Sequence, residues 1–121
     1  MANYIGMDAH SKTSTFVVVN TRGQEIKTQK INTSENEIAK FLRSLLGKKY
    51  LTFEESQMSK WLHVVIKNEV DELLVCNPCF IAKRTGPKND YLDALHLAQQ
   101  LRGGFLTPVF HDDSFLSVYA R

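Results

Sequence analysis

The order of the apolar segments along this chain is the feature that most restricts its fold. Residues 3–9 and 13–20 are predicted to be strands, and the second contains the β-branched and aromatic run Phe16-Val17-Val18-Val19 that is typical of strands. A turn at residues 21–24 predicts that residues 24–31 return as an antiparallel strand, and its polar composition suits the edge of a sheet. The chain is therefore predicted to begin with a three-stranded meander.

Two amphipathic helices and two further strands are predicted after the meander. Ser34 and Glu37 have the spacing of a capping box, and the helix behind them is expected to end at Gly47. The apolar stripe of this helix comprises Ile38, Phe41, Leu42, Leu45 and Leu46. The second helix has a similar stripe, also expected in the core, of Met58, Trp61, Leu62, Val65 and Ile66. Strands are predicted at residues 49–54 and 72–76.

A last helix is predicted from about Asp90 to Arg102, ended by Gly103 and Gly104. Helices that connect strands make right-handed crossovers, which place the later strands parallel to the first. We therefore predict an α/β fold with a mixed five-stranded sheet. An antiparallel three-stranded meander is followed by two parallel strands, and helices cover both faces.

The bulk properties of the 121 residues fit a globular domain and exclude few functions. No apolar run approaches the roughly 20 residues that span a bilayer, and no secretory signal is recognisable, so a cytoplasmic location is predicted. The net charge of +2 permits nucleic-acid binding without requiring it. We predict a domain over residues 1–104. Residues 105–121 are predicted to be a tail, with a helix starting near Asp112 that leads toward a missing C-terminal region.

Four carboxylates stand where the fold alone would favour other residues. Asp8 lies inside the first strand, Glu54 closes the fourth, and Asp90 and Asp93 open the last helix. Aspartate is unfavourable in strands and rarely buried, which indicates a functional reason. The carboxyl ends of the first and fourth strands meet at the switch point where α/β sheets build their sites. Asp90 and Asp93 share one helix face, so all four are predicted to converge.

A cluster of four carboxylates needs cations, because mutual repulsion raises their pKa values and destabilises the fold. Mg²⁺ prefers such oxygen ligands and bridges to phosphate, and Mn²⁺ is an alternative. Two ions about 4 Å apart can activate the attacking oxygen and stabilise the leaving oxygen of a phosphoryl displacement. Asp8, Glu54, Asp90 and Asp93 are therefore predicted to be metal ligands and catalytic residues, with Asp8 bridging the two ions.

Each carboxylate also has a purely structural explanation. Asp8 could cap the turn that follows it, and Glu54 could belong to the first turn of a helix. Asp90 could be a helix N-cap, and Asp93 could lie on a solvated face. Glu55 is the one-residue alternative to Glu54 as a ligand.

Basic residues near two of the carboxylates are candidates for contacts with nucleic-acid phosphates. His10 and Lys12 follow Asp8 in a turn, where His10 could bind either metal or phosphate. A basic loop before Asp90 contains Lys83, Arg84 and Lys88. An ordinary turn histidine and a solvated loop are the structural alternatives.

Cys76 and Cys79 form the segment Cys-Asn-Pro-Cys after the fifth strand. This spacing is that of a thioredoxin-like redox pair. It is also half of a zinc site, although no second pair of ligands stands at a suitable spacing. The structural alternative is two small residues at the junction of a strand and a turn.

Four segments carry a resemblance to a known family: Gly6-Met7-Asp8-Ala9-His10-Ser11-Lys12, Glu54-Glu55-Ser56, Asn77-Pro78, and Lys88-Asn89-Asp90-Tyr91-Leu92-Asp93-Ala94 with Leu97-Ala98. Over residues 3–110 the chain resembles the DEDD-type insertion-sequence transposases, which include the Piv-like DNA invertases. The last segment is the most specific, since the family pattern there is Lys-Thr-Asp-x-x-Asp-Ala followed by Leu-Ala. The chain departs from the family at Asn89, in place of threonine, and at Glu55-Ser56, in place of a small residue and threonine.

The resemblance implies a RuvC-like, ribonuclease H-like domain whose four acids coordinate magnesium during DNA recombination and transposition. DNA is the implied partner, and some members are directed by a structured guide RNA. Family members continue through a coiled coil into a second domain that supplies a serine nucleophile. Oligomerisation is expected through regions that this chain lacks. Alone, the chain is expected to bind metal and nucleic acid without completing recombination.

Three other functions remain open on the sequence. One is a standalone nuclease similar to Holliday-junction resolvases, which would share the fold and the metal site. Another is a thiol redox protein that uses the Cys-x-x-Cys segment. The last is a ribonuclease H-like binding module without catalytic activity.

Overall fold

Alternating and β-branched residues build a five-stranded mixed sheet, as the sequence predicts. The computed structural model describes residues 1–77 and 89–106. Its strands are β1 (Ala2–Ala9), β2 (Thr13–Val19), β3 (Glu25–Asn32), β4 (Lys48–Glu54) and β5 (Glu72–Cys76). The order across the sheet is β3-β2-β1-β4-β5. β1, β2 and β3 pair antiparallel, whereas β4 runs parallel to β1 and β5 parallel to β4. The predicted α/β, ribonuclease H-like fold class is confirmed.

Three helices cover the two faces of this sheet. They are α1 (Glu35–Arg43), α2 (Ser59–Ile66) and α3 (Asp90–Gly103). Helices α1 and α2 pack with the larger apolar cluster on one face, which includes Ile5, Met7, Phe16, Phe53 and Leu62. Helix α3 packs on the other face against Val17 and Val19, through Ala94 and Ala98. Because side chains alternate along a strand, the α3 face also receives Tyr4, Gly6 and Asp8 of β1.

Gly6 allows α3 to lie directly on β1. A Cβ atom built on Gly6 would be 1.9 Å from the Ala94 carbonyl oxygen and 2.6 Å from the Ala98 nitrogen. Both neighbours are backbone atoms of a helix and cannot move independently of it. Only glycine therefore permits this helix–strand distance, which sets the position of the first turn of α3 relative to β1.

Helix α1 ends earlier than the sequence predicts. Its last residue is Arg43, and the Ser44 hydroxyl and N–H both donate to carbonyls of the final turn. The Leu46 carbonyl accepts a 2.6 Å hydrogen bond from Asn3 Nδ2 and precedes β4. Consequently the Leu46 side chain is 80% exposed, and the prediction that it belongs to the buried stripe is wrong.

Two other details differ from the sequence predictions. Trp61 is 40% exposed, because Leu62 and Ile66 face the sheet and Trp61 lies at the border of their stripe. Ser34 caps α1 by accepting from the Glu37 N–H, as expected. The Glu37 carboxylate, however, accepts from the backbone and side-chain nitrogens of Asn32.

Some predicted features lie outside the described residues. They are Cys79, the loop residues Lys83, Arg84 and Lys88, and the helix expected from Asp112. In the described part of the chain, no helix is long and apolar enough to cross a membrane.

Candidate metal centre

The carboxyl ends of β1 and β4 place Asp8 and Glu54 beside each other. Met7 of β1 is in register with Phe53 of β4, so the next residues of the two strands, Asp8 and Glu54, fall on the α3 face. Both line a cavity of about 110 Å³, together with Met7, Ala9, His10, Glu55 and Ser56. Asp8 is buried, and Glu54 is half-buried.

The first turn of α3 brings Asp90 to the same end of the sheet. The Asn89 side chain is the N-cap and accepts from the Leu92 N–H at 3.0 Å. The alternative in which Asp90 is the cap is therefore wrong, because the preceding residue has that role. The Tyr91 hydroxyl donates to Glu25 of β3, which holds this turn of the helix against the meander.

His10 connects the two carboxylates that come from distant parts of the chain. Its Nε2 atom lies 3.1 Å from Asp8 Oδ2 and 3.1 Å from Asp90 Oδ1. One ligand atom from each of these three residues lies within 4.8 Å of the other two. The side chain of His10 is 39% exposed, so the cluster opens toward solvent on that side.

The turn that carries His10 is held by backbone and hydroxyl hydrogen bonds. The His10 N–H donates to the Thr13 carbonyl at 3.1 Å, and the His10 carbonyl accepts from Thr33 Oγ1 at 2.6 Å. The Thr33 hydroxyl hydrogen is used in that bond, so the Ser14 hydroxyl must donate to Thr33 Oγ1. The Thr33 N–H also donates to the Lys12 carbonyl. The segment between β3 and α1 thus fixes the turn beside the acidic residues.

The pKa of Asp90 is affected by a second carboxyl group that lies against it. A hydrogen bond with the Asp8 carboxyl holds the pKa of Asp90 below its usual value, and His10 and Lys30 act in the same direction. Two carboxyl groups can form a hydrogen bond only if one of them carries a proton, because a carboxylate is an acceptor alone. The ligand atoms of the two carboxyl groups lie within 4.8 Å of each other, close enough for one cation to contact both.

The spacing of these ligand atoms is compatible with one octahedral ion. With bonds of about 2.1 Å, neighbouring ligands of Mg²⁺ are about 3.0 Å apart. The two 3.1 Å separations at His10 Nε2 match that edge length. Asp8, His10 and Asp90 could therefore hold a divalent cation.

The other two predicted carboxylates lie outside this compact cluster of described residues. Glu54 shares the cavity with Asp8, and one of its carboxylate oxygens is inaccessible to solvent. Glu55 lines the same cavity, and its N–H donates to the Cys76 carbonyl at 2.9 Å. Asp93 is 2% exposed, which excludes the alternative that it lies on a solvated face.

Two residues near the cluster were not identified from the sequence. Asp8 is in register with Thr15, and Thr15 with Lys30, so Lys30 lies in the same row on the α3 face. Counting the register across both hairpins could have found it. Thr33 supports His10 through a contact across 23 residues, and no local sequence signal predicts that contact.

Lys12, predicted to contact nucleic acid, is exposed in the turn after β1. Its side chain is thus available on the surface next to His10. The other predicted basic contacts, Lys83, Arg84 and Lys88, are outside the described residues.

Cys76 lacks the exposure and the low thiol pKa that are typical of a redox-active cysteine. It is 1% exposed, and burial raises the pKa of its thiol to about 11. Reactive cysteines have depressed pKa values and partial exposure, since the thiolate is the nucleophile. This observation argues against the thiol redox function, although Cys79 itself is outside the described residues.

A comparison with family models shows which proteins the chain is similar to. The model of the IS110-type DEDD family, described as transposase, matches residues 5–117. No curated protein matches the chain.

Proposed function

Because the chain belongs to the family of DEDD insertion-sequence transposases, we propose that it is the metal-binding domain that acts on DNA phosphodiesters. The observation that carries this proposal is the contact of His10 with both Asp8 and Asp90, the second across 80 residues of sequence. A buried aspartate at a strand end and a second carboxylate against it are costly without a cation. In DNA recombination, a bound cation would offset this energetic cost and would also take part in the chemistry.

In this proposal Asp8 and Asp90 are ligands of a divalent cation, Mg²⁺ or Mn²⁺. Glu54 and Asp93 complete the set of carboxylates around it, in agreement with the name of the family. When bound, such an ion supplies Lewis-acid polarisation of a phosphate oxygen and lowers the pKa of a bound water.

The residues of the chain itself bind and orient the DNA. Asp8 and Glu54 line the cavity at the carboxyl ends of β1 and β4, where the scissile phosphate would be placed. Lys12 in the turn after β1 and Lys30 on β3 are exposed on the side of the meander. Their ammonium groups can contact neighbouring phosphates of the same strand, which positions the DNA without reading its sequence. The DNA is thus proposed to reach the acidic cluster across β3.

The test is the metal dependence of thermal unfolding for the wild type and Asp8→Asn. An ion at a hundredfold excess over its dissociation constant stabilises the folded wild type by about 2.7 kcal/mol. We expect Asp8→Asn to lose this stabilisation with Mg²⁺ and Mn²⁺, both alone and with branched DNA. Without metal the variant should be about as stable as the wild type, because an amide at this position can still donate a hydrogen bond to the Asp90 carboxylate.

Glu35→Gln is the matched control, since Glu35 is an exposed carboxylate in the first turn of α1. It should respond to metal as the wild type does. Equal stabilisation of wild type and Asp8→Asn by metal would contradict the proposal and favour a binding module that needs no ion at this position.

A further inference from the structure

We propose that His10 is itself a metal ligand through Nε2, which makes this a mixed nitrogen and oxygen site that prefers Mn²⁺ to Mg²⁺. This inference rests on the proposed function, because it concerns the ion held by Asp8 and Asp90. It adds a nitrogen ligand to the four carboxylates, and it predicts which divalent ion the domain binds more tightly.

The position of the imidazole carries the argument. Nε2 is equally far, 3.1 Å, from one oxygen of Asp8 and one oxygen of Asp90. An ion that bound both oxygens on the side of the imidazole would therefore lie next to Nε2. If Nε2 carried a hydrogen toward these oxygens, that hydrogen would occupy the place of the ion. With an ion bound, the ring must either present its lone pair or leave the cluster.

The turn restricts how far the ring can leave. Both backbone groups of His10 are hydrogen-bonded, the N–H to Thr13 and the carbonyl to Thr33. Thr33 is held in turn by Ser14, which is fully buried. The backbone of His10 is therefore fixed on both sides, and the ring can move only by rotation about its own side-chain bonds. Coordination is the arrangement that requires the least change.

The identity of the ion follows from the donor atoms. Mg²⁺ prefers hard oxygen ligands and gains little from an imidazole. Affinities of a nitrogen-containing site for divalent first-row metals increase from Mn²⁺ to Cu²⁺, and Mn²⁺ as a transition metal accepts an imidazole ligand more readily than Mg²⁺ does. A nitrogen ligand at His10 thus raises the affinity for Mn²⁺ more than that for Mg²⁺.

The experiment uses the full chain and Mn²⁺ as the probe. Pulsed electron paramagnetic resonance detects a nitrogen nucleus bonded to Mn²⁺ as modulation of the spin echo. We expect nitrogen modulation in the wild type and its loss in His10→Gln. Loss of a residue that supports a metal site costs about tenfold or more in affinity. We expect His10→Gln to weaken Mn²⁺ binding by at least this factor, with a smaller effect on Mg²⁺.

His96→Gln is the control, because His96 is a half-buried histidine on α3 outside the cluster of described residues. It should keep both the modulation and the affinity for Mn²⁺. If Mn²⁺ binds the wild type and Asp8→Asn abolishes binding, but no nitrogen modulation is seen, the role of His10 as a ligand is overturned and the proposed function stands. If the wild type binds no Mn²⁺ even with branched DNA, both are overturned.

Discussion

Two lysines of β3 place their positive charges on opposite faces of the sheet. Lys30 shares a row with Thr15 and Asp8 on the α3 face. Lys27 is on the opposite face, where its ammonium group lies 5.4 Å from the centre of the Phe41 ring. Two lysines three residues apart on one strand therefore face different surroundings, and only one of them faces the candidate metal centre.

This difference allows a matched prediction for DNA binding. Each Lys–phosphate contact contributes about 0.9 to the slope of log affinity against log salt concentration. We expect Lys30→Gln to weaken binding of branched DNA and to reduce this slope by about one contact. Lys27→Gln should leave both values unchanged. Titrations of fluorescent DNA at several salt concentrations give the slopes. Equal effects of the two substitutions would contradict the path of DNA across the α3 side of β3.

At the scale of secondary-structure elements, the contact between α3 and β1 positions the candidate site. Asp90 stands in the first turn of α3, and its distance from Asp8 depends on how closely this helix approaches the strand. Gly6 sets that approach, since a Cβ atom there would collide with the backbone at Ala94 and Ala98. Packing at the middle of β1 thus determines the geometry at its end.

Gly6→Ala is expected to destabilise the fold strongly. Overpacking typically costs up to about 3 kcal/mol, and the rigid backbone neighbours place this substitution at the upper end. Gly104→Ala is the control: Gly104 caps α3 at φ 75° with no atom within 4 Å of a built Cβ. Its cost should be only the left-handed backbone, about 1 kcal/mol. Urea unfolding measures both. Similar losses for the two variants would show that α3 can move away from β1 without cost.

The helix boundaries show which ends of helices and strands can be predicted from the local sequence. The strands follow from local alternation and the end of α3 from Gly103 and Gly104, so their predicted bounds agree with the structure to within a residue or two. The end of α1 depends on Asn3, which binds the Leu46 carbonyl across 43 residues. A stripe of apolar residues cannot reveal such a contact, and for that reason the prediction for Leu46 was wrong.

At the scale of the whole molecule, an ion pair ties the two helices of one sheet face together. Arg43 at the end of α1 makes two hydrogen bonds, 3.0 and 2.7 Å, to the Glu69 carboxylate after α2. The hydrogen bonds from Arg43 are the largest cause that lowers the pKa of Glu69 below its usual 4.5. The unfolded chain therefore binds more protons at this residue, so the pair stabilises the fold above pH 4.5 and is lost as the pH falls through the lowered pKa.

Replacement of Glu69 should consequently change stability only in one pH range. We expect Glu69→Gln to lower the thermal midpoint by a few degrees at most at pH 7, because the guanidinium group is largely exposed. The difference from the wild type should disappear in acid. Arg43→Gln should give a similar loss at pH 7, and the double variant should lose little more. A deficit of Glu69→Gln that persists unchanged in acid would show that packing, and not the charge pair, is responsible.

The sequence by itself determined the order of the elements, the mixed sheet, the family, and the elements on which the four carboxylates lie. These follow from local periodicity, caps and motifs, which depend on residues close together in the chain. The right-handed crossover rule then leaves few topologies, and β4 and β5 run parallel to β1 as predicted.

Only the tertiary structure decided which side chains meet. The contact of His10 with Asp90 depends on the approach of α3 at Gly6 and on the hold of Thr33 on the turn. The exposure of Trp61 likewise depends on how α2 is rotated against the sheet. These are distances between residues far apart in the chain. They are set by the packing of whole elements, so no local pattern contains them.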